Sequence, residues 1–361
     1  MKPTPFLLSL LTIIFWGCSS SDDSSPNPQD PTASIYFPPI DGSDTWETTT
    51  PQELGWNESA LQPLLEYLEE KNSKGFIILH KGKIVVENYM NGHDTITPWY
   101  WASAGKTLTA TVAGIAQDEG LIDIDNRVSD YLGAGWTSAP LDKEQMITCK
   151  NLLSMNSGLD DSLGDDVSPE NLQYVADAGN RWAYHNVYVK MQDVVAEASN
   201  QTWNNYFNTK LRDRIGMNGT WIPLDNLSVY WSNTRSMARF GLLIYAKGKW
   251  EDAHIVSESY VTASTNTSQD INKAYGYLWW LNGKSSFKLP GIQLEFQGEL
   301  IPNAPDDMFS GLGKNDQKLY IVPSKDLVIV RLGEVANPEN PTFALSGFDN
   351  ELWGYISNFI D

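Results

Sequence analysis

Cysteine is nearly missing from this 361-residue chain: Cys18 and Cys149 are the two it has. That excludes a disulfide framework and a cysteine-built metal centre. Histidine is almost as scarce, at His80, His93, His185 and His254. None of the four stands in a His-Glu-x-x-His pattern, so a zinc hydrolase is not expected. There is no Gly-x-Ser-x-Gly elbow, which argues against an α/β-hydrolase triad, and no glycine-rich phosphate cradle. No metal and no cofactor are expected. Positive charge is short as well, 25 Lys and Arg against 45 Asp and Glu, a formal net charge of −20. A surface of that sign repels nucleic acid and anionic lipid. The acidic pairs Asp123/Asp125 and Asp165/Asp166 are read as solvated surface.

What the chain does have is length for a sizeable core and fourteen Trp within 12% aromatics, most of them read as interior. Its informative stretch is Trp99–Gly120, WYWASAGKTLTATVAGIAQDEG. Leu108, Val112, Ile115 and Ala116 recur at near-helical spacing, and Gly120 closes the run, so a buried helix is predicted. Ser103 and Lys106, at i and i+3, share one face near its start. Unpaired N–H groups there favour a developing serine alkoxide. A lysine enclosed in apolar surroundings can act as a base near neutral pH. Lowering it from about 10.4 to about 7 takes roughly 4–5 kcal/mol of differential environment, which only a closed pocket supplies. Ser-x-x-Lys is a weak pattern alone, and a second copy, Ser285–Lys288, lies in a stretch without helical period and is read as a loop.

The start of the chain is read as targeting rather than fold. Lys2 precedes an apolar run, Phe6–Trp16, too short to span a bilayer, which ends at Gly17-Cys18 and a Ser/Asp/Pro/Asn-rich stretch. This resembles a bacterial lipoprotein signal: 1–17 the signal peptide, Cys18 the lipidated residue, 18–34 a disordered tether, 35–361 the folded domain. The implied location is the bacterial cell envelope, with the membrane reached only through the lipid anchor. Cys149, in MITCKNLLSM, is read as a core residue.

Within the domain, Asn57 with Leu61, Leu64, Leu65 and Leu68 predicts a capped amphipathic helix. Strands Phe76–His80 and Ile84–Tyr89 follow, joined by a tight turn at Lys81-Gly82-Lys83. Near the other end, Lys318–Val322 and Leu327–Leu332 flank the Pro323–Asp326 turn, and a helix carrying Phe348, Leu352, Tyr355, Ile356 and Phe359 closes the chain. The class predicted is α+β: an antiparallel sheet built from both chain ends, flanked by helices, with an inserted helical lobe. In that lobe Val187, Met191, Val194, Val195 and Ala198 mark one helix, and Trp203, Tyr206, Phe207 and Leu211 another. Ahead of them stands Tyr184-His185-Asn186. In an extended segment Tyr184 and Asn186 share a side, offering a phenol for proton relay and an amide for a lysine or a substrate carbonyl, while His185 points away.

Ser103-Ala104-Gly105-Lys106, Leu153-Ser154-Met155-Asn156-Ser157-Gly158-Leu159 and Trp182-Ala183-Tyr184-His185-Asn186, in that order, resemble the motifs of the class C β-lactamase and penicillin-binding-protein-like serine hydrolases. That group includes D,D-peptidases, esterases and 6-aminohexanoate-dimer hydrolases. The resemblance covers roughly residues 54–333, and Ser232–Trp250 is also similar to a helix of the group. It implies the β-lactamase/transpeptidase-like fold, Ser103 as nucleophile, Lys106 as base or base partner, Tyr184 as second acid/base, and Asn186 as a group orienting Lys106 or the substrate. The group's third motif, Lys or His then any residue then Gly, has no Lys-Thr-Gly counterpart here. Gly311-Leu312-Gly313 or Phe309-Ser310-Gly311 stands in its place, making Ser310, Gly311 and Gly313 candidate substrate-binding residues, with Lys314 beside them. The departure favours an esterase or amidase acting on a small-molecule or short-peptide substrate over a true D,D-peptidase or β-lactamase. A non-catalytic envelope binding or sensor protein with the same fold is the alternative from another class.

Overall fold

Strands from the two ends of the chain meet edge to edge in one antiparallel sheet. The computed structural model describes Met1 and residues 35–224, 227–339 and 347–361. The signal, tether and Cys18 assignments fall outside the described residues. Residues 35–361 form one compact unit. Its six-stranded sheet contains β1 (Ser73–His80), β2 (Lys83–Tyr89), β3 (Trp280–Leu281), β4 (Phe309–Gly313), β5 (Gln317–Val322) and β6 (Leu327–Gly333), in the spatial order β2-β1-β6-β5-β4-β3. The β1–β2 turn has Lys81 and Gly82 both at positive φ, 47° and 84°, the pairing that matches the twist of a two-residue hairpin. The core strands β5 and β6 are buried along their whole length.

Alternation along β5 sends its side chains to two different layers. Lys318 and Tyr320 face α5 (Gly347–Ile360), where both bind Asp349. Leu319 faces α4 (Thr234–Tyr245), which lies so close that a Cβ on Gly241 would come within 2.4 Å of Val328 and 2.8 Å of Leu319. Helix α1 (Leu61–Glu70) covers α5 through Tyr67, stacked on Phe348 and Tyr355. The inserted lobe carries α2 (Lys106–Asp118) and α3 (Lys190–Ser199), tied by the Gln192 amide donating to Thr109 at 3.0 Å.

Four local expectations are corrected. Asn57 does not cap the first helix with its side chain; a 3₁₀ turn, Glu58–Ala60, precedes α1, and the Asn57 amide reaches across to the Asn358 carbonyl. Tyr355 sits on the rim of α5 rather than its core stripe, while Asp349 takes a fully buried position. The helix beginning at Trp203 runs regularly only to Phe207 before a π-turn over Asn208–Arg212. Ser286–Lys288 forms a short strand paired with Glu295–Gln297, not a loop. In a strand i and i+3 point to opposite faces, so the second Ser-x-x-Lys cannot form a pair.

Candidate active site

Ser103 sits not in the helix itself but in a 3₁₀ turn, Ala102–Gly105, that leads into α2. The residue before it, Ala102, is held at φ 47°, a left-handed conformation that costs a non-glycine residue energy and turns the chain sharply just before the serine. Every residue of α2 from Lys106 to Ala116 is buried. The small residues of that run permit it: a Cβ on Gly114 would strike the Tyr260 ring at 2.3 Å, and the Tyr260 hydroxyl donates to the Ala110 carbonyl at 2.9 Å.

Lys106 is therefore enclosed, with 3% of its surface exposed, and its Nζ donates to Ser103 Oγ at 2.8 Å. Burial disfavours its charged form and lowers its pKa to about 7, against a smaller opposing pull from the Asp165 carboxylate. Tyr184 comes from the separate segment ahead of α3. Its hydroxyl is hydrogen-bonded to Ser103 and to the Trp280 indole, and burial raises it to about 12 despite both bonds. The hydroxyl, amine and phenol thus meet at one point, with the ammonium 5.0 Å from the Tyr184 ring centre.

His185 is extended and half-buried on the other side of its segment, neutral, with desolvation lowering it to about 4. Asn186 lines the cleft, but its amide donates to Asp165, at 3.0 Å to the carboxylate and 3.3 Å to the carbonyl. Its first visible task is to hold the loop bearing Asp165. That aspartate is a residue that sequence reasoning placed on the solvated surface; it is exposed, yet it forms part of the cleft wall.

Strand β4 closes the site through its glycines. A Cβ on Gly311 would lie 3.2 Å from Thr107, and one on Gly313 would lie 2.5 Å from the Trp101 carbonyl and 3.1 Å from the Ala104 nitrogen. Gly311 and Gly313 therefore face the turn that carries Ser103. By the same alternation Ser310, paired opposite Tyr320, points to the α5 side, so its buried hydroxyl is displaced as a substrate-binding group. The backbone takes over. The Asn282 N–H donates to the Met308 carbonyl, and β3 begins at Trp280, opposite Ser310. Two residues on, the Leu312 N–H and C=O turn to the same edge, where no strand among the described residues lies beyond them.

The cleft in front of Ser103 has a volume of about 410 Å³. Tyr100, Tyr188, Leu224, Val229 and Trp231 make its apolar side, and Lys314 and Asn315 its rim. Asn315 is itself left-handed (φ 59°) and donates to the Tyr100 hydroxyl at 2.8 Å. Among the described residues no cluster of three His, Cys, Asp or Glu side chains is placed to hold a metal ion, and no helix is long and apolar enough to cross a membrane. Cys149 is buried in the core, and burial raises its thiol to about 12.

The family model named Beta-lactamase matches residues 68–344, which spans the Ser103 turn, Tyr184 and β4. The chain belongs to the beta-lactamase family. Its fold is also that of several solved structures. One, from Bacteroides dorei and provisionally assigned as a beta-lactamase, is 15% identical, with 84% of this chain and 99% of that one covered at a TM-score of 0.66. Another, from Bacillus anthracis and provisionally assigned as a 6-aminohexanoate-dimer hydrolase, is 18% identical, with 90% and 88% covered at a TM-score of 0.66. A family VIII carboxylesterase is 14% identical, with 86% and 98% covered at a TM-score of 0.63. No curated protein matches the sequence.

Tyr188, Tyr100 and Trp231 line the cleft beside Ser103 and Lys106 without having been singled out for it by sequence, and Trp280, which the sequence favoured as core, binds the Tyr184 hydroxyl. Aromatic residues at helical or strand spacing carry the same signal whether they fill a core or line a cleft, and only tertiary contact separates the two.

Proposed function

We propose that this member of the beta-lactamase family is a serine hydrolase that cleaves an ester or amide bond through an acyl-enzyme on Ser103. One observation carries the reading: a lysine 3% exposed, its pKa lowered by burial to about 7, with its Nζ 2.8 Å from a serine hydroxyl. Lys106 takes the Ser103 proton as Oγ attacks the carbonyl carbon. The oxyanion is held by the Ser103 N–H and by the edge N–H of Leu312. Tyr184, protonated at neutral pH, passes a proton to the leaving oxygen or nitrogen as the tetrahedral intermediate collapses. Water then attacks the acyl-enzyme, giving its proton to the same groups, and the acid product leaves with Ser103 restored.

Strand β4 offers no cation to the cleft, and Lys314 stands at the exposed rim beyond it. A substrate carboxylate therefore lacks a buried partner there, which supports an uncharged ester or amide over a β-lactam or a peptide C-terminus. The lipid-anchored placement in the cell envelope remains part of the proposal and rests on the Gly17-Cys18 pattern. A fluorophosphonate probe tests the reaction: the chain is expected to label, and Ser103→Ala is expected not to while keeping its thermal unfolding. An unlabelled parent chain would instead mark a non-catalytic binding protein.

A further inference from the structure

The Lys106 ammonium has a neighbour that neither the proton relay nor the nucleophile accounts for. Its Nζ lies 4.6 Å from the ring centre of Tyr188, closer than the 5.0 Å to Tyr184. Tyr188 belongs to the 3₁₀ turn Asn186–Val189 that opens α3, is itself buried, and shares the cleft with Ser103. Two aromatic faces from one five-residue stretch, Tyr184 to Tyr188, thus flank the amine. We propose that Tyr188 is a positioning residue for the reaction proposed above, its ring face holding the Lys106 ammonium against Ser103.

The physical case follows from enclosure. A lysine side chain has four rotatable bonds and, in water, no single preferred end point. Here its stem is enclosed, and its end donates a hydrogen bond to Ser103. The other groups facing it are few: Tyr184 and Asn186 from the Tyr188 side, the Asp165 carboxylate from its loop, Lys314 across the cleft, and His185 behind, which is neutral. Asp165 is exposed and its carboxylate is engaged by Asn186, so its hold on the ammonium is shared and screened by water. A desolvated aromatic face attracts a cation without a hydrogen bond of its own and without demanding a proton in return. It favours the charged form, whereas enclosure favours the neutral one. The ring thereby keeps the amine able to accept the serine proton and to hold it near the alkoxide while the tetrahedral intermediate forms.

Removing the ring should therefore lower the Lys106 midpoint, and keeping the ring without its hydroxyl should not. The test is an NMR titration of the purified protein carrying ¹³Cε-labelled lysine, with the Lys106 signal assigned by its loss in Lys106→Arg. Tyr188→Phe is expected to titrate with the parent chain. Tyr188→Leu and Tyr188→Met, two non-aromatic replacements in case one fails to fold, are expected to shift the midpoint down by about half to one and a half pH units. The rate of Ser103 labelling by the fluorophosphonate probe, read well above the midpoint, is expected to fall in Leu and Met and to be kept in Phe. An unmoved or upward-shifted midpoint in the non-aromatic variants overturns the inference, because a merely structural residue would leave it in place or admit water. The titration needs no turnover: a chain that never labels sinks the hydrolase reading, while the lysine signal still decides the role of Tyr188.

Discussion

Gly313 and Trp101 approach so closely that a single methyl group on the glycine would sit 2.5 Å from the Trp101 carbonyl oxygen. The φ of Gly313, −124°, is open to any residue, so the constraint is space and not backbone freedom. This contact locks the edge of β4 to the turn that carries Ser103, and with it the spacing between the serine and the Leu312 N–H.

Gly313→Ala is expected to push strand and turn apart by a fraction of an ångström to an ångström. Oxyanion donors are sensitive to displacement on that scale, and a loss of about 10²-fold in acylation rate is expected. The check is the probe-labelling rate beside circular dichroism; a folded variant labelling at the parent rate would show that β4 supplies no donor.

Acylation is expected to climb about tenfold per pH unit below pH 7 and to level off above it. In the proposed mechanism the neutral form of Lys106 is the base, and burial lowers its pKa to about 7. A pH profile of labelling measures this directly, and a limb centred near the ordinary lysine value would remove Lys106 from the role.

The same burial carries a cost in stability, with a defined sign. Below about pH 7 folded and unfolded chains both hold the Lys106 proton, and the enclosed ammonium weighs fully against the fold. Between about 7 and 10 the folded chain has released the proton while the unfolded chain keeps it, so stability rises with pH across that window. Lys106→Met should abolish labelling yet unfold at a temperature several degrees higher at pH 6, the cost removed being of the order of 4 kcal/mol. A lower melting temperature would contradict this account.

Behind the sheet, Asp349 binds Lys318 at 2.7 Å and Tyr320 at 2.6 Å with all three groups buried. Asp349→Ala leaves an ammonium in the core with Asp316, at 3.2 Å, still beside it. A loss of about 3–5 kcal/mol in denaturant unfolding is expected, with Asp349→Asn intermediate. Retained stability would mean that water reaches Lys318.

For the anchor, Cys18→Ser is expected to stop incorporation of labelled palmitate in a bacterial host and to release the protein into the soluble fraction. Continued incorporation would place the lipid elsewhere.

The strand pairs at both chain ends, the tight turn at Lys81-Gly82 and the Ser103–Lys106 pair were legible in the order of residues, because each depends on spacings of two, three or four along one segment. The family likeness was legible for the same reason, in short ordered motifs. What tertiary structure alone decided is which separate segments share a surface. Ser310 and Gly311 are neighbours in the chain, yet strand parity sends one to the α5 layer and the other to the turn that carries Ser103. Asp165 has the composition of solvated surface and becomes cleft wall because the Asn186 amide holds its loop there. Tyr188 and Trp280 carry the pattern of core residues and gain their positions beside Lys106 and Tyr184 from packing between segments far apart in sequence. Local periodicity records whether a side chain is buried; it carries no information on what it is buried against, and the chemistry at Ser103 depends on the latter.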